Sequence, residues 1–248
     1  MKTTFFALAC LLSSSLFAQI TLEKLWQTDS LLKIPESVLY SSEDKLLYVS
    51  NIDGAPLEKD GKGSIGKVGT DGNIINPDWV TGLNAPKGLG IYKNHLYAAD
   101  IDDVVVIDRK NGTVIQRIPV EGSVMLNDIS VDQSGIIYVS DSRAGKVYRI
   151  ENEKPSLYLD NVKGVNGVLA TGKDFYLLAG GSLQKAGTDK KLTTLAEGMD
   201  QSTDGIEVVK ENEFIVSCWN GIVYYVKEDG SKLILLDTRT QKIENRNQ

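Results

Sequence analysis

The sequence predicts an all-β propeller with five complete four-stranded antiparallel blades and an N-terminal strand for a closing sixth. Three observations carry this. A polar residue followed by a strand-like run recurs as Pro35-Glu36-Ser37-Val38, Pro86-Lys87-Gly88-Leu89, Leu126-Asn127-Asp128-Ile129, Val165-Asn166-Gly167-Val168 and Thr203-Asp204-Gly205-Ile206. The steps from Glu36 to Lys87, Asn127, Asn166 and Asp204 are 51, 40, 39 and 38 residues, the length of a blade of four short strands. No helical period appears, and WD signatures are absent.

Taken in order, Met1 to Ala18 reads as a signal peptide. Lys2 gives the positive end, Phe5 to Leu12 the apolar stretch, and Leu16-Phe17-Ala18 the cleavage site. The stretch is too short to span a bilayer. Ala7-Leu8-Ala9-Cys10 gives a weaker lipoprotein reading, since the apolar run before Cys10 is very short. A single domain then runs from Gln19 to Gln248. Losing Lys2 takes the formal charge from −6 to −7. An acidic chain without a basic run is a poor partner for nucleic acid or an anionic membrane. A periplasmic or extracellular location follows from the leader. Losing Cys10 leaves Cys218 alone, so no intrachain disulfide is expected, and Cys218 reads as a core thiol.

Leu22-Glu23-Lys24-Leu25-Trp26 precedes the first repeat and reads as an outer strand that would close the ring. Each repeat then continues with a second strand, such as Leu47-Tyr48-Val49-Ser50-Asn51 or Ile137-Tyr138-Val139-Ser140-Asp141. Third and fourth strands follow, joined by turns such as Asn111-Gly112 and Asp229-Gly230. Asp53 to Lys62 is an insertion of loop composition that lengthens the first step. A further step from Asp204 lands near residue 242, in the polar run Thr238 to Gln248. The chain therefore either closes as a five-bladed ring or has lost most of a sixth blade, and an open ring would expose sheet edges and core.

The first strand of each blade lines a propeller's channel, so Glu36, Lys87, Asn127, Asn166 and Asp204 should meet at one level. Four offer side-chain oxygen and none offers sulfur or imidazole. That is a hard-cation set, best suited to calcium, with other divalent ions possible. The only histidine, His95, sits in a turn. Thr70-Asp71-Gly72 repeats the tripeptide at Thr203-Asp204-Gly205 but falls in an outer hairpin, where it is only a turn.

With these motifs the chain resembles the SMP-30/gluconolactonase/LRE-like six-bladed propellers, over nearly the whole mature length. Pro35-Glu36 stands at the family's first-blade glutamate, Asn127-Asp128 at its Asn-Asp motif, Asn166-Gly167 at its Asn-Gly motif and Asp204-Gly205 at its Asp-Gly motif. The resemblance implies that Glu36, Asn166 and Asp204 are metal ligands and that Asn127 contacts metal or substrate. It also implies that Asp204 is the catalytic base of a calcium-dependent hydrolase of a lactone or related ester. Lys87, pointing inward, would offset charge on the product carboxylate; a salt bridge to Glu36 or a surface position is the structural alternative. Met125 stands where sugar-lactone members carry arginine, which argues against a sugar-acid lactone. The alternative function is a non-catalytic or degenerate propeller that binds a protein or glycan, with calcium as a structural ion.

Other signals are set aside. Gly61-Lys62-Gly63-Ser64-Ile65-Gly66 fits a dinucleotide pattern but lacks the helix that must follow it. No serine has a histidine partner near a shared motif. Asn111-Gly112-Thr113 is a hairpin turn before it is a sequon. Mass spectrometry of the mature protein is expected to give an N-terminus at or near Gln19; an intact Met1 would overturn export.

Overall fold

A computed structural model describes residues 20–172 and 174–239, so the leader and the tail from residue 240 lie outside the described residues. Within them the chain is all-β. Blade one contains β1 (Pro35–Ser41), β2 (Leu46–Asn51), β3 (Gly63–Gly69) and β4 (Ile74–Leu83). Blade two contains β5 (Pro86–Tyr92), β6 (His95–Asp100), β7 (Asp103–Asp108) and β8 (Val114–Pro119). Blade three contains β9 (Leu126–Val131), β10 (Ile137–Asp141), β11 (Lys146–Glu151) and β12 (Lys154–Leu159). Blade four contains β13 (Val165–Thr171), β14 (Asp174–Ala179), β15 (Ser182–Ala186) and β16 (Leu192–Ala196). Blade five contains β17 (Thr203–Lys210), β18 (Glu213–Cys218), β19 (Ile222–Lys227) and β20 (Lys232–Asp237). Each blade is a separate antiparallel sheet in chain order, and no blade borrows a strand from another.

The ring is held by face-to-face packing of neighbouring blades. Tyr48, Ile65, Leu96 and Ile107 fill the space between blades one and two. Tyr97, Val106, Ile129 and Ile150 fill the next interface, Leu159, Val168 and Phe175 the third, and Tyr176, Phe214 and Val226 the fourth. Most are β-branched or aromatic side chains, Leu96 and Leu159 apart, alternating along strands, a composition that suits a half-buried pleated surface.

The inner hairpin of every blade has the same irregularity. Pro35 pairs with Asn51 and Ser37 with Ser50, leaving Glu36 over. Pro86 and Leu89 pair with Asp100 and Ala98, so Lys87 and Gly88 face Ala99 alone. The same slip holds Asn127-Asp128, Asn166-Gly167 and Asp204-Gly205. A β-bulge of this kind re-aims a side chain. Here it turns one polar residue per blade inward.

The packing is not repeated between blade five and blade one. Val38 is 62% exposed, whereas its counterparts Leu89, Ile129, Val168 and Ile206 are 4%, 5%, 3% and 6% exposed. Gly88 and Gly167 lie so close to the next blade's inner strand that a Cβ would collide with the backbone of Asp128 and Asp204. A Cβ on Gly205 would meet only Ser217 of its own blade. The described residues contain no sixth blade, and the ring of blades they form has an open side.

The N-terminal segment departs from the sequence expectation. Leu22 to Trp26 forms no strand and closes no blade. Instead the Trp26 indole N–H donates to the Thr70 carbonyl at 2.8 Å, and Leu32 lies over Gly66. The indole covers Gly72, whose φ is +85°. With no sixth-blade strand beside it, the segment finds the outer hairpin of blade one and a glycine flat enough to carry a ring.

Trp26→Ala and Gly72→Ala should each lower Tm, by about 2–4 °C per kcal/mol lost in a chain this size. Gly72→Ala should cost less in the Trp26→Ala background, because the ring it collides with is gone. Thermal melts of the four proteins check this; strict additivity would show that the indole does not sit on Gly72.

Candidate functional site

The five bulged residues mark one end of the channel, and their surroundings are set by the repeat. Ser50, Ser140 and Ser217 stand opposite three of the bulges. Their hydroxyls accept the amide N–H of Ser37, Asp128 and Gly205, each at 3.0 Å. That bond satisfies a donor the ladder leaves free and pins the residue before it, Glu36, Asn127 or Asp204. Asp100 and Asp141, both fully buried, do a related job. Asp100 accepts from the amides of Asn84 and Ala85 just before β5, and Asp141 from those of Val124 and Met125 just before β9.

Asn166 Nδ2 donates to Asp204 Oδ1 at 2.7 Å, while Asn166 Oδ1 is buried without a partner. Asn127 is also buried. Glu36 is pushed up to about 8, first by burial and then by the charge of Asp204; Lys87 opposes the shift and Asp128 adds to it. Asp204 is itself raised by burial, against its bond from Asn166. Glu36, Asp204, Asn127 and Asn166 are thus grouped in one electrostatic neighbourhood. Asp128 belongs to it too. Its carboxyl is pushed up to about 7 by burial, against the stabilising Val168 amide that donates to Oδ2 at 2.8 Å.

Lys87 is buried rather than on the surface, and its hydrogen bonds go to carbonyls. The ammonium donates to Ala85 O at 2.9 Å and Pro56 O at 3.0 Å. Burial lowers its pKa, and Glu36 is the leading charge that opposes the lowering. Pro56 belongs to the insertion after β2, whose Leu57 packs on Ile52, Ala85 and Ile101. The insertion therefore folds over this end of the channel and fastens blade one to blade two.

A cavity of about 600 Å³ runs from Glu36, Asn127 and Asp204 along the channel to Glu43, Lys93 and Arg109 at the other end. Among the described residues no three His, Cys, Asp or Glu side chains form a metal-holding group. The oxygen donors here are carboxylates mixed with amides. His95 lies at the opposite end of β6 from the bulge, edge-on to Tyr97. Cys218 is buried against blade four, its thiol pushed up to about 11 by burial, as a core residue should be. Asp71 accepts from Asn73 in an exposed turn, far from the channel in the fold.

Sequence reasoning missed Asp128, the three serines and the two buried aspartates. The signal was present, because Ser-Asn, Ser-Asp and Ser-Cys end three of the second strands. By itself such a dipeptide is indistinguishable from ordinary strand pattern; only the pairing with the bulge gives it a role.

No protein-family model matches the chain, and no curated protein matches it either. Solved structures do. A chain of the nidogen/laminin complex aligns with a TM-score of 0.66 at 16% identity, covering 79% of this chain and 76% of that one. A catalytically inactive virginiamycin B lyase from Staphylococcus aureus, solved with quinupristin, gives 0.57 at 12% identity, covering 86% and 87%. A streptogramin B lyase gives 0.57 at 13%, covering 82% and 83%. At these identities the likeness is one of fold, the β-propeller.

The raised carboxyls set a pH dependence for the metal-free protein. A carboxyl whose pKa rises on folding holds its proton in the native state after the unfolded chain has lost it. Its contribution is full below about 4.5 for Glu36 and is lost as pH rises through about 8. Glu36→Gln removes this loss. In chelator, its Tm relative to wild type should climb steadily between pH 5 and 8.5. A difference that stays flat across that range would show Glu36 ionising as an ordinary carboxylate.

Proposed function

We propose that the Glu36 end of the channel is a calcium-dependent hydrolytic site for a lactone or related ester, in an exported propeller of the SMP-30/gluconolactonase/LRE-like kind. One observation carries the reading. Four of the five bulges in one phase of the repeat turn hard oxygen donors to the same end, and one of these, Asn166 Oδ1, is buried with no partner in the protein. A buried amide oxygen without a donor costs about 1–3 kcal/mol, which a cation would remove. Glu36 and Asp204, both raised by burial and Glu36 further by the charge of Asp204, are relieved by the same cation.

In this reading Glu36, Asn166 and Asp204 would hold the ion, and Asn127 would reach ion or substrate. A bound divalent ion supplies Lewis acidity toward a carbonyl oxygen. The remaining chemistry falls to the chain. Asn166 Nδ2 fixes Asp204 through Oδ1. That leaves Oδ2 to take the proton of a water attacking the carbonyl and to return it to the alkoxide as the acyl C–O bond breaks; burial, which raises the pKa of Asp204, makes it a stronger base than an ordinary aspartate. Lys87, with two of its three donors committed, would offset the charge of a product carboxylate.

Calcium titration with thermal melts, followed by assays on lactones and aryl esters, tests this. Calcium a hundredfold above Kd should stabilise the fold by about 2.7 kcal/mol. Asp204→Asn should weaken that gain and abolish hydrolysis, and Asp71→Asn should do neither. No calcium effect on wild type, or identical behaviour of the two variants, overturns the site. Calcium stabilisation without turnover of any ester or lactone would replace hydrolysis with the scaffold function, the ion then being structural.

A further inference from the structure

The outer strands carry a second repeated irregularity, and blade two breaks it. β12 pairs Leu159 with Val147 and Leu157 with Tyr148, which leaves Tyr158 over. β16 leaves Leu195 over in the same register, and β4 slips across Pro77-Asp78-Trp79. A bulge re-aims the extra side chain, and here it is laid over the face that meets the next blade. The Trp79 ring lies 5.3 Å from that of Tyr48 and reaches Gly112 of blade two. Tyr158 stands between Tyr138 and Phe175, at 5.0 and 5.2 Å, and Leu195 packs on the core between blades four and five. These are ordinary spacings for paired rings.

β8 keeps its register instead. Ile118, Arg117 and Gln116 pair in turn with Val104, Val105 and Val106, and the slip comes only at Ile115. Alternation then turns Arg117 away from blade three. Its guanidinium donates to Asp100 Oδ2 and to the Gly82 carbonyl, each at 3.0 Å. Where the neighbouring interfaces hold a ring, this one holds Gln116. Tyr97, the counterpart of Tyr48 and Tyr138, is left facing a cavity of about 630 Å³ between blades two and three. Val106 and Ile118 form one wall with it, and Ile137 and Ile150 of blade three form the other. Across the mouth, Gln116 Nε2 donates to Glu153 Oε2 at 3.1 Å.

We infer that this cleft binds a small planar aromatic molecule carrying an N–H or O–H donor, seated as Trp79 and Tyr158 are seated in the interfaces on either side. Three features fix the class. The tyrosine on the wall is the one that takes a ring from the outer strand in both neighbours, so the chain itself supplies the example of what fits. The walls are buried and apolar, His95 extends them edge-on to Tyr97, and the volume is that of a small-molecule site. The mouth presents the Glu153 carboxylate, an acceptor, so the ring that suits it has a donor on its rim, as indole and phenol do. The cleft lies outside the channel and needs neither the ion nor the hydrolytic reaction.

Ligand-observed NMR titrations with indole and p-cresol, run in calcium and again in chelator, test this. Both probes should bind saturably, with the same Kd in either buffer. Cyclohexanol has a hydroxyl but no flat face and should bind several-fold more weakly than p-cresol. Indole should bind more tightly than N-methylindole, and Glu153→Ala should erase that difference by weakening indole alone. Gln116→Trp lays a ring from β8 into the cleft and should abolish binding of both probes, whereas Gln116→Ala should retain it. Ile115→Trp, from an exposed position on the same wall, should block the cleft as well and serves if Gln116→Trp does not fold.

Failure of both probes to bind wild type, or unchanged binding by a folded Gln116→Trp or Ile115→Trp, overturns the cleft. Cyclohexanol binding as tightly as p-cresol overturns the aromatic class. Binding that disappears in chelator puts the ring in the channel, and the inference fails.

Discussion

The centre of the molecule depends on one backbone irregularity repeated five times. In a regular hairpin, successive side chains alternate between the two faces of a blade, and both faces are wanted for packing on neighbours. The bulge at each inner hairpin frees one residue from that alternation. Only because of it are Glu36, Lys87, Asn127, Asn166 and Asp204 turned inward without a gap in the apolar layers on either side. The cost is an amide without a ladder partner. In blades one, three and five a serine hydroxyl from the facing strand meets it. Blades two and four carry Ala99 and Leu178 there, so the device is strongest where Glu36, Asn127 and Asp204 are presented.

Much of this was legible in the sequence, because a repeat states its own period. Steps of 40, 39 and 38 residues fix the number of strands per blade and the phase of the channel residues. The insertion was visible as a lengthened step. Its fate was not. A loop of Gly, Pro and charge reads as solvent-facing, yet Pro56 and Leu57 fold back onto Lys87 and Ala85, a long-range contact that composition does not encode. The segment at Leu22 to Trp26 misled for the opposite reason. Its pattern suits a strand, but a strand needs a partner edge. The indole N–H settled on Thr70 instead, with Gly72 as its platform. Asp128 escaped notice because it shares a dipeptide with Asn127, and turn chemistry accounts for Asn-Asp pairs well enough.

Acids gathered in a half-buried channel set stability against function. Burial first, and then the charge of Asp204, push Glu36 and Asp128 toward their neutral forms. The protein does not neutralise them with a cationic side chain. Lys87 is the one cation that bears on Glu36 here, and two of its three protons are spent on backbone carbonyls. An apolar residue at any of these bulges would relieve the strain at once. Keeping the acids is the kind of local conflict with folding that marks sites rather than scaffolds.

That every blade is made from one unbroken stretch of chain has a mechanical meaning. In a ring clasped by a shared strand, hydrogen bonds join the ends of the sequence, and the blades must loosen together. Here no strand is shared and, the bridge between Ile101 and Leu126 aside, side-chain contact ties blade to blade; among the described residues blades one and five each have a single packed neighbour. The molecule behaves as a short bent stack of units, whose cooperativity is the sum of nearest-neighbour interfaces. Fraying should begin at the two ends and run inward, reaching blade three last. Blade one is held to blade two by the insertion above and by Arg109 on Glu43 and Asp44 below. Blade five is latched to blade four in the same double fashion, by Asn166 on Asp204 at the channel and by Tyr176 and Lys185 on Glu228 farther out, so each outermost described unit is pinned at two levels besides its core.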